Sequence, residues 1–240
     1  MRLQLQTWAE VERYLESAST VIMPIGSTEQ HGPNGLIGTD AVTSEEIAHA
    51  VGARTNTMVA PTIAVGMAQH HMAFTGSMTL RPSTMISVIG DYVNSLAHHG
   101  FDRFYFINGH GGNIGILNST LKDLVERQST PGAAYTFVNW WAGPRTKKLR
   151  QAWYGAGEGL HATPSEIAVT QFVRPREMKP PRRLDPAPTF RSIGTAENYR
   201  ATYPDGRMGS DPSLATPEAG RALVASAVTD IAEHYREFVG

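Results

Sequence analysis

Thr20-Val21-Ile22-Met23-Pro24-Ile25-Gly26 runs without a break into Ser27-Thr28-Glu29-Gln30-His31-Gly32-Pro33-Asn34-Gly35-Leu36-Ile37-Gly38-Thr39-Asp40. The first stretch is short, apolar and rich in β-branched side chains, which predicts a buried strand over Thr20 to Gly26. The second is a polar turn punctuated by glycines, and it carries Glu29, His31 and Asp40. Two carboxylates and an imidazole offer hard oxygen and borderline nitrogen donors, a mixture that suits zinc or manganese better than calcium or an iron–sulfur cluster. The same residues have simpler uses. Asp40 can cap a helix, Glu29 can be solvated, and His31 can hydrogen-bond a turn carbonyl.

Outward from this stretch, strand and helix patterns alternate as far as about Arg174, which predicts an α/β fold with a mainly parallel central sheet flanked by helices. Thr7 caps a first helix that runs to Leu15. After the polar turn a helix is expected from Ala41 to Arg54, with Thr43 and Glu46 in capping-box spacing. Met58 to Val65 reads as the next strand, and Pro82 opens a helix that continues to His99 before Gly100. Arg103 to Asn108 is a third strand ending in Gly109-His110-Gly111-Gly112-Asn113, with Asn113 read as the cap of a helix to about Arg127. Ala134 to Trp141 is the fourth strand. Thr163-Pro164-Ser165-Glu166 opens a further helix that stops before Pro175, and Thr216-Pro217-Glu218 starts a closing amphipathic helix. The intervening segment 175–217, rich in Pro, Arg and Gly, is too long for a simple connection and is expected to be an ordered excursion covering a neighbour or a site.

The chain of 240 residues is expected to be one domain, long enough to bury a core without disulfides. A formal net charge of -1, from 21 basic and 22 acidic side chains, leaves no electrostatic footprint for nucleic acid or an acidic membrane and points to a small-molecule partner. Cysteine is absent, so any metal must sit on His, Asp and Glu. The first residues lack the apolar core of a signal peptide, and nothing is apolar over the ~20 residues of a membrane span. A cytoplasmic protein is therefore expected.

Ligands of open parallel sheets bind beyond the carboxyl ends of the strands, so the loops after Gly26 and after Asn108 are expected to meet. His110, set between glycines at a strand-to-helix turn, is either a ligand or a satisfied polar residue of a tight turn. The Walker spacing and its lysine are missing, which argues against a phosphate loop. Glu166 fits N3 of a capping box and equally a carboxylate aimed at the mouth of the sheet, while His161, with an ordinary pKa near ~6.5, suits a proton shuttle. Ser27 lacks the nucleophile-elbow pattern and reads as a turn residue.

Glu29-x-His31, Asp40, Gly109-His110 and His161-Ala162-x-x-x-Glu166, in this order, resemble the creatininase (creatinine amidohydrolase) family over roughly Trp8 to Arg174. The run Gln69-His70-His71-Met72-Ala73-Phe74-Thr75-Gly76-Ser77 is also similar to a segment of that family. The resemblance implies two divalent metal ions per chain, zinc and/or manganese, with Asp40 bridging, Glu29 and His110 on one ion, and His31 with Glu166 on the other. It implies His161 as the catalytic acid–base, a homo-oligomer of hexameric type, and hydrolysis of an amide or cyclic C–N bond of a small molecule by activated water. Deformylation of a formamide on a pyrimidine precursor and trimming of a modified peptide are other activities of the family. A metal-stabilised binding or scaffold protein without turnover is the reading from another class.

Two departures matter. Creatininase reads Gly-His-Tyr-Glu-Asn where this chain has Gly111 and Gly112, so Glu166 is assigned as the replacement carboxylate. The flap tryptophan that precedes the catalytic histidine by four residues is here Gly157. Substrate contacts are accordingly assigned to Gly111, Gly112, Trp140, Trp141 and His71, and creatinine is expected to be a poor substrate. Arg174, Arg176, Arg182, Arg183 and Arg191 would favour a phosphorylated substrate if they face the site, and otherwise read as a solvated loop or an oligomer contact.

Overall fold

The strand that opens the argument is β1, Thr20–Ile25, and all six of its residues are buried. In the computed structural model, which describes residues 1–127, 130–179 and 184–240, it pairs on both sides. The chain begins with α1 (Trp8–Leu15), capped by Thr7 in a full capping box with Glu10, and after β1 continues into α2 (Thr39–Thr55) and β2 (Met58–Val59). Next come α3 (Pro82–His98), β3 (Arg103–Asn108), α4 (Ile114–Glu126) and β4 (Ala134–Asn139). The second half is helical: α5 (Pro144–Tyr154), α6 (Pro164–Val173), α7 (Ala196–Thr202) and α8 (Pro217–Val239). The four strands form one parallel sheet in the order β2-β1-β3-β4.

Because side chains alternate across a strand, the two faces of the sheet divide the core between them. Ile22, Tyr105 and Ile107 point to one face and pack with Ile47 and Val51 of α2, Ile167 of α6 and Leu223 and Ile231 of α8. Val21, Met23, Ile25, Phe104 and Phe106 point to the other, against Tyr14 of α1, Met85 and Ile89 of α3 and Leu117 of α4. The result is the expected α/β sandwich of helices about a parallel sheet.

Several boundaries differ from expectation, each for a physical reason. The strand expected over Met58 to Val65 is only two residues long. Ala60 N–H donates to Ile22 O and Ile63 N–H to Pro24 O, so the even-numbered residues of β1 face this edge. Pro24 therefore presents its missing N–H to this neighbour, and Pro61 lacks a donor of its own, so the ladder cannot continue regularly. The helix after the polar turn begins at Thr39 instead of Ala41, and Thr43 lies inside it, its hydroxyl donating to Asp40 O instead of capping. Asn113 makes no side-chain cap either. Helix α5 was not foreseen, and the fourth strand ends at Asn139, two residues early.

Candidate metal centre

Four chain segments converge at the carboxyl end of the sheet. The loop after β1 brings Glu29 and His31, the first turn of α2 brings Asp40, the loop after β3 brings His110, and the approach to α6 brings His161 and Glu166. Close backbone approach makes this possible: a Cβ on Gly26 would strike the backbone of Asp40 and Ala41, and one on Gly109 would strike the carbonyl of Asp40. The N-terminus of α2 thus rests directly on both loops, as expected from their position.

Asp40 is the hub. Its Oδ1 lies 3.0 Å from His31 Nε2 and its Oδ2 lies 2.9 Å from His110 Nδ1. His110 Nε2 lies 3.3 Å from Glu29 Oε2. Ligand atoms of Glu29, Asp40 and His110 fall within 4.8 Å of one another, as do those of His31, Asp40 and Glu166, and those of Glu29, His31 and His161. Yet Glu29 Oε1, His31 Nε2 and Asp40 Oδ2 are buried with no aligned hydrogen-bond partner. Buried polar atoms are almost always satisfied. Atoms that crowd together without aligning on each other are arranged to share a third partner, and the N/O donor set fits a divalent cation.

Outer hydrogen bonds fix which nitrogen faces inward. His31 Nδ1 donates to Glu29 O (3.1 Å), which turns Nε2 toward Asp40. His110 Nε2 donates to Met67 O (3.0 Å), leaving Nδ1 toward Asp40. Ser27 Oγ donates to Glu29 Oε2 (2.8 Å), so this serine positions a carboxylate in the turn where it was expected as a turn residue. Glu166 is placed for both roles considered for it. Its Oε2 accepts from Thr163 N and Thr163 Oγ1, each at 2.9 Å, in a complete capping box, while the carboxylate still reaches the group formed with His31 and Asp40.

The electrostatics follow from this crowding. Burial opposes a charge on His31, but Asp40, with Glu166 and Glu29 behind it, raises its pKa to about 10. Burial likewise opposes charge on His110, and Glu29 and Asp40 raise it to about 9. Asp40 would be raised by burial, but the His31 and His110 imidazoliums hold it below the usual carboxylate range. Burial, with Asp40 nearby, lifts Glu166 to about 7 against the pull of His31. The carboxylates thus draw protons onto the two histidines, as a site that lacks positive charge must. His161 is different: burial, His31 and His71 depress it well below its ordinary value, so it is neutral.

His161 owes its aim to the backbone. Ala162 sits at φ 55, a left-handed conformation rare for a residue with a side chain, and it turns the chain between His161 and the start of α6. His161 Nε2 donates to Gln30 O at 2.7 Å, leaving Nδ1 as the basic atom, 3.7 Å from Glu29 Oε1.

The creatininase family model, described as creatinine amidohydrolase, matches residues 4–235. The chain belongs to the creatininase family. It is a hydrolase of the kind that acts on C–N bonds. A mycofactocin precursor peptide peptidase of Mycobacterium ulcerans (strain Agy99) is 28% identical over 228 residues, 88% of this chain and 82% of its own. The creatinine amidohydrolase of Pseudomonas putida is 24% identical over 246 residues, 96% of this chain and 94% of its own. A solved creatininase has the same fold, with a TM-score of 0.86 at 22% identity over 99% of this chain and 97% of its own. Creatininases in a Zn–Zn form and a manganese form align with TM-scores of 0.84, at 22% identity over 98% and 97% of the two chains.

A cavity of about 390 Å³ opens above the cluster of this family member, lined by Asp40, His110, His161 and Glu166 together with Gly111, Gly112, His71 and Trp141. Trp140, expected beside Trp141, does not line it. It is fully buried in the core, because adjacent residues leaving a strand point to opposite sides. His71 touches the cluster itself, its Nε2 3.3 Å from Glu29 Oε1, and burial followed by the neighbouring histidines lowers its pKa to about 2. Gly112 is less a substrate contact than a clearance, since a Cβ there would collide with His110 Nε2 and Met67 O. At Gly157 a Cβ would come within 2.9 Å of Leu214 Cδ1, the end of an exposed side chain, so a larger residue there requires Leu214 to move.

The excursion does cover the site, through Phe190, Ile193 and Met208. Its arginines take no part among the described residues. Arg174 pairs with Glu46 at 2.7 Å, and Arg176 and Arg191 are exposed and off the cavity; Arg182 and Arg183 lie outside the described residues. One polar residue escaped the sequence reading, Gln30, and a second, Asn113, was read as a helix cap and has another role. Gln30 Nε2 donates to Gly206 O (3.0 Å) and contacts His71 Nδ1 (2.9 Å), tying the excursion to the histidines. Asn113 is buried, donates to Gly26 O (3.0 Å) and accepts from Met67 N (3.1 Å), linking three loops. The contacts that tie these loops together lie 40 or more residues away in the chain, so no local pattern signals them.

No helix among the described residues is long and apolar enough to cross a membrane.

Proposed function

We propose that this chain is a binuclear metal-dependent amidohydrolase, in which Asp40 would help to hold both of two zinc or manganese ions, and that it cleaves a C–N bond in a small amide. One observation carries the reading: the two oxygens of Asp40 face two different histidines, at 3.0 and 2.9 Å, and each pair is completed by a further carboxylate. Glu29 and His110 are assigned to one ion, His31 and Glu166 to the other. Bound divalent ions supply a water acidified toward neutrality and polarisation of the amide carbonyl. His161, neutral and held by its Nε2 hydrogen bond, takes a proton at Nδ1 and returns it to the leaving nitrogen. Ser27 holds the Glu29 carboxylate in place, and Met67 O fixes the His110 ring.

Creatinine is turned over slowly in this reading, because Gly112 leaves no space for the side chain that creatininase carries there and Gly157 supplies no aromatic wall. The mycobacterial relative is named for a peptide substrate and shares 28% identity, against 24% for the Pseudomonas creatinine amidohydrolase, which keeps trimming of a modified peptide as the second reading. The family resemblance further supports a single-domain, cytoplasmic homo-oligomer of hexameric type. Metal analysis of gently purified protein tests the proposal: two transition-metal ions per chain are expected, together with amide hydrolysis that a chelator abolishes. One ion or none after supplementation with zinc and manganese overturns the binuclear reading.

A further inference from the structure

One cation lies in the wall of the cavity, and no site assigned so far uses it. Arg150 is on α5, where Thr146, Arg150 and Tyr154 follow at four-residue intervals and so share one face. Thr146 and Tyr154 are buried, and Arg150 is half-buried between them, whereas Arg145, Lys147 and Lys148 point outward and are exposed. Its guanidinium is held on two edges. Nε donates to Glu158 Oε1 at 2.7 Å, and Nη1 donates to Trp141 O at 3.1 Å. Glu158 is in turn held by the hydroxyl of Ser165, the residue before Glu166. Arg150 is therefore braced against the same helix N-terminus that brings Glu166 to the candidate metal centre.

A guanidinium has five N–H donors, and these contacts use two. Nη2 makes no hydrogen bond among the described residues, yet Arg150 lines the cavity. Arg150 thus places in the cavity wall a guanidinium whose Nη2 is unpaired among the described residues. The surroundings favour a particular guest. Trp141, Leu160, Phe190 and Ile193 make the rest of this side of the cavity apolar. Glu158 already offsets the single positive charge of Arg150, so every negative charge on a guest goes uncompensated, and a monoanion is repelled less than a doubly charged phosphate. A planar carboxylate can accept from Nη2, whose two N–H groups are unpaired among the described residues.

We propose that Arg150 reads a carboxylate on the substrate, so that the enzyme acts on small amides that carry a carboxylate at the end away from the scissile C–N bond. This inference rests on the amidohydrolase reading above and narrows its substrate class.

Succinamate, its uncharged counterpart succinamide, and the corresponding phosphonate, 3-phosphonopropionamide, are suitable probes for the metal-loaded full chain. Binding is read by calorimetry and turnover by ammonia release, in wild type, Arg150→Gln and Arg150→Lys. The wild type is expected to favour succinamate over succinamide by roughly 10- to 100-fold, the worth of a charge-assisted fork. Arg150→Gln should lower that ratio at least tenfold, mainly through Kd and KM. Arg150→Lys keeps a charge for Glu158 and guards against a folding defect; with metal content and melting temperature near wild type, it should still lose most of the preference. A preference that is equal in wild type and variants, or absent in all, overturns the carboxylate reading. A phosphonate bound better than succinamate overturns it in favour of a phosphorylated substrate. Succinamide turnover without any carboxylate preference would leave the amidohydrolase reading standing, whereas loss of that reading would show as absent turnover with all probes and metals.

Discussion

At the floor of the cavity Glu29, His31 and Asp40 are shut away from solvent on the ends of β1 and α2, whereas at its roof Leu160, Phe190 and Ile193 are 66%, 57% and 48% exposed and hang from loops. The floor is over-determined. Each side chain there is held by at least one close ion pair from another element, so a change disturbs fold and chemistry together. At the roof a side chain touches mainly the ligand space. Substrate choice can change there with little effect on the fold.

Asp40→Asn is the strongest blow to the floor. It removes the one group facing both histidines, and we expect both ions to be lost, with metal affinity down by more than ~100-fold and turnover with it. His110→Ala should retain one ion more readily, and equal metal loss in the two variants would remove the case for Asp40 as the bridge.

Glu166→Gln comes next. It keeps a hydrogen-bonding side chain for the cap but surrenders the anion, so one metal equivalent and most activity should go. Thr163→Ala should lower the melting temperature by the equivalent of ~1 kcal/mol and keep both ions. Full occupancy in Glu166→Gln would confine this residue to its capping role.

Without metal the floor should respond to alkali. His31 and His110 have folded pKa values raised to about 10 and about 9, so the folded state binds their protons more tightly than the unfolded chain. That stability is complete below ~6.5, the ordinary histidine value, and is lost as pH rises through 9 to 10. Glu166, raised to about 7, acts in the same direction over a lower range. His71 and His161 are depressed and titrate below this window. Chelated protein should therefore melt at progressively lower temperature from pH 6.5 to 10, and metal-loaded protein should not. A flat profile for the chelated protein would contradict the proton-for-metal exchange at these histidines.

The smallest effect on stability belongs to the roof. Phe190→Ala should shift stability by no more than ~0.5 kcal/mol while changing KM for amides of different bulk. A large loss of stability would show that the roof is as tightly built as the floor.

The floor was also the legible part. A β-branched run followed by a glycine-rich polar turn signals β1 and its ligands, and Thr163-Pro164-Ser165-Glu166 signals the start of α6, because each signal lies within a few residues. Helix α5 has no such signal. Its N-cap residue is Gly143, and its cap comes from Asp230 on α8, whose Oδ2 accepts from Thr146 N and Thr146 Oγ1, each at 3.0 Å. Four of its eleven residues are basic and its buried residues are only Thr146 and Tyr154, so no apolar stripe betrays it. Arg150 was invisible for the same reason. The Trp140 assignment failed because one step along the chain reverses the direction of a side chain, and sequence alone did not fix where β4 ends. Gln30 and Asn113 work through partners far along the chain, which no local pattern encodes.

The clearance at Gly112 has an evolutionary consequence. Any side chain there lands on His110 Nε2 and Met67 O before it can reach the cluster, so the first step toward a carboxylate at 112 breaks an existing contact without yet supplying a new one. The arrangement with a glutamate in this turn and the arrangement with glycine are thus separated by a fitness valley that a single substitution does not cross. A library varied at position 112 alone should return glycine among its active members. One varied jointly at 67–69 and 112 is the shortest route by which a descendant of this chain could trade one carboxylate supply for the other.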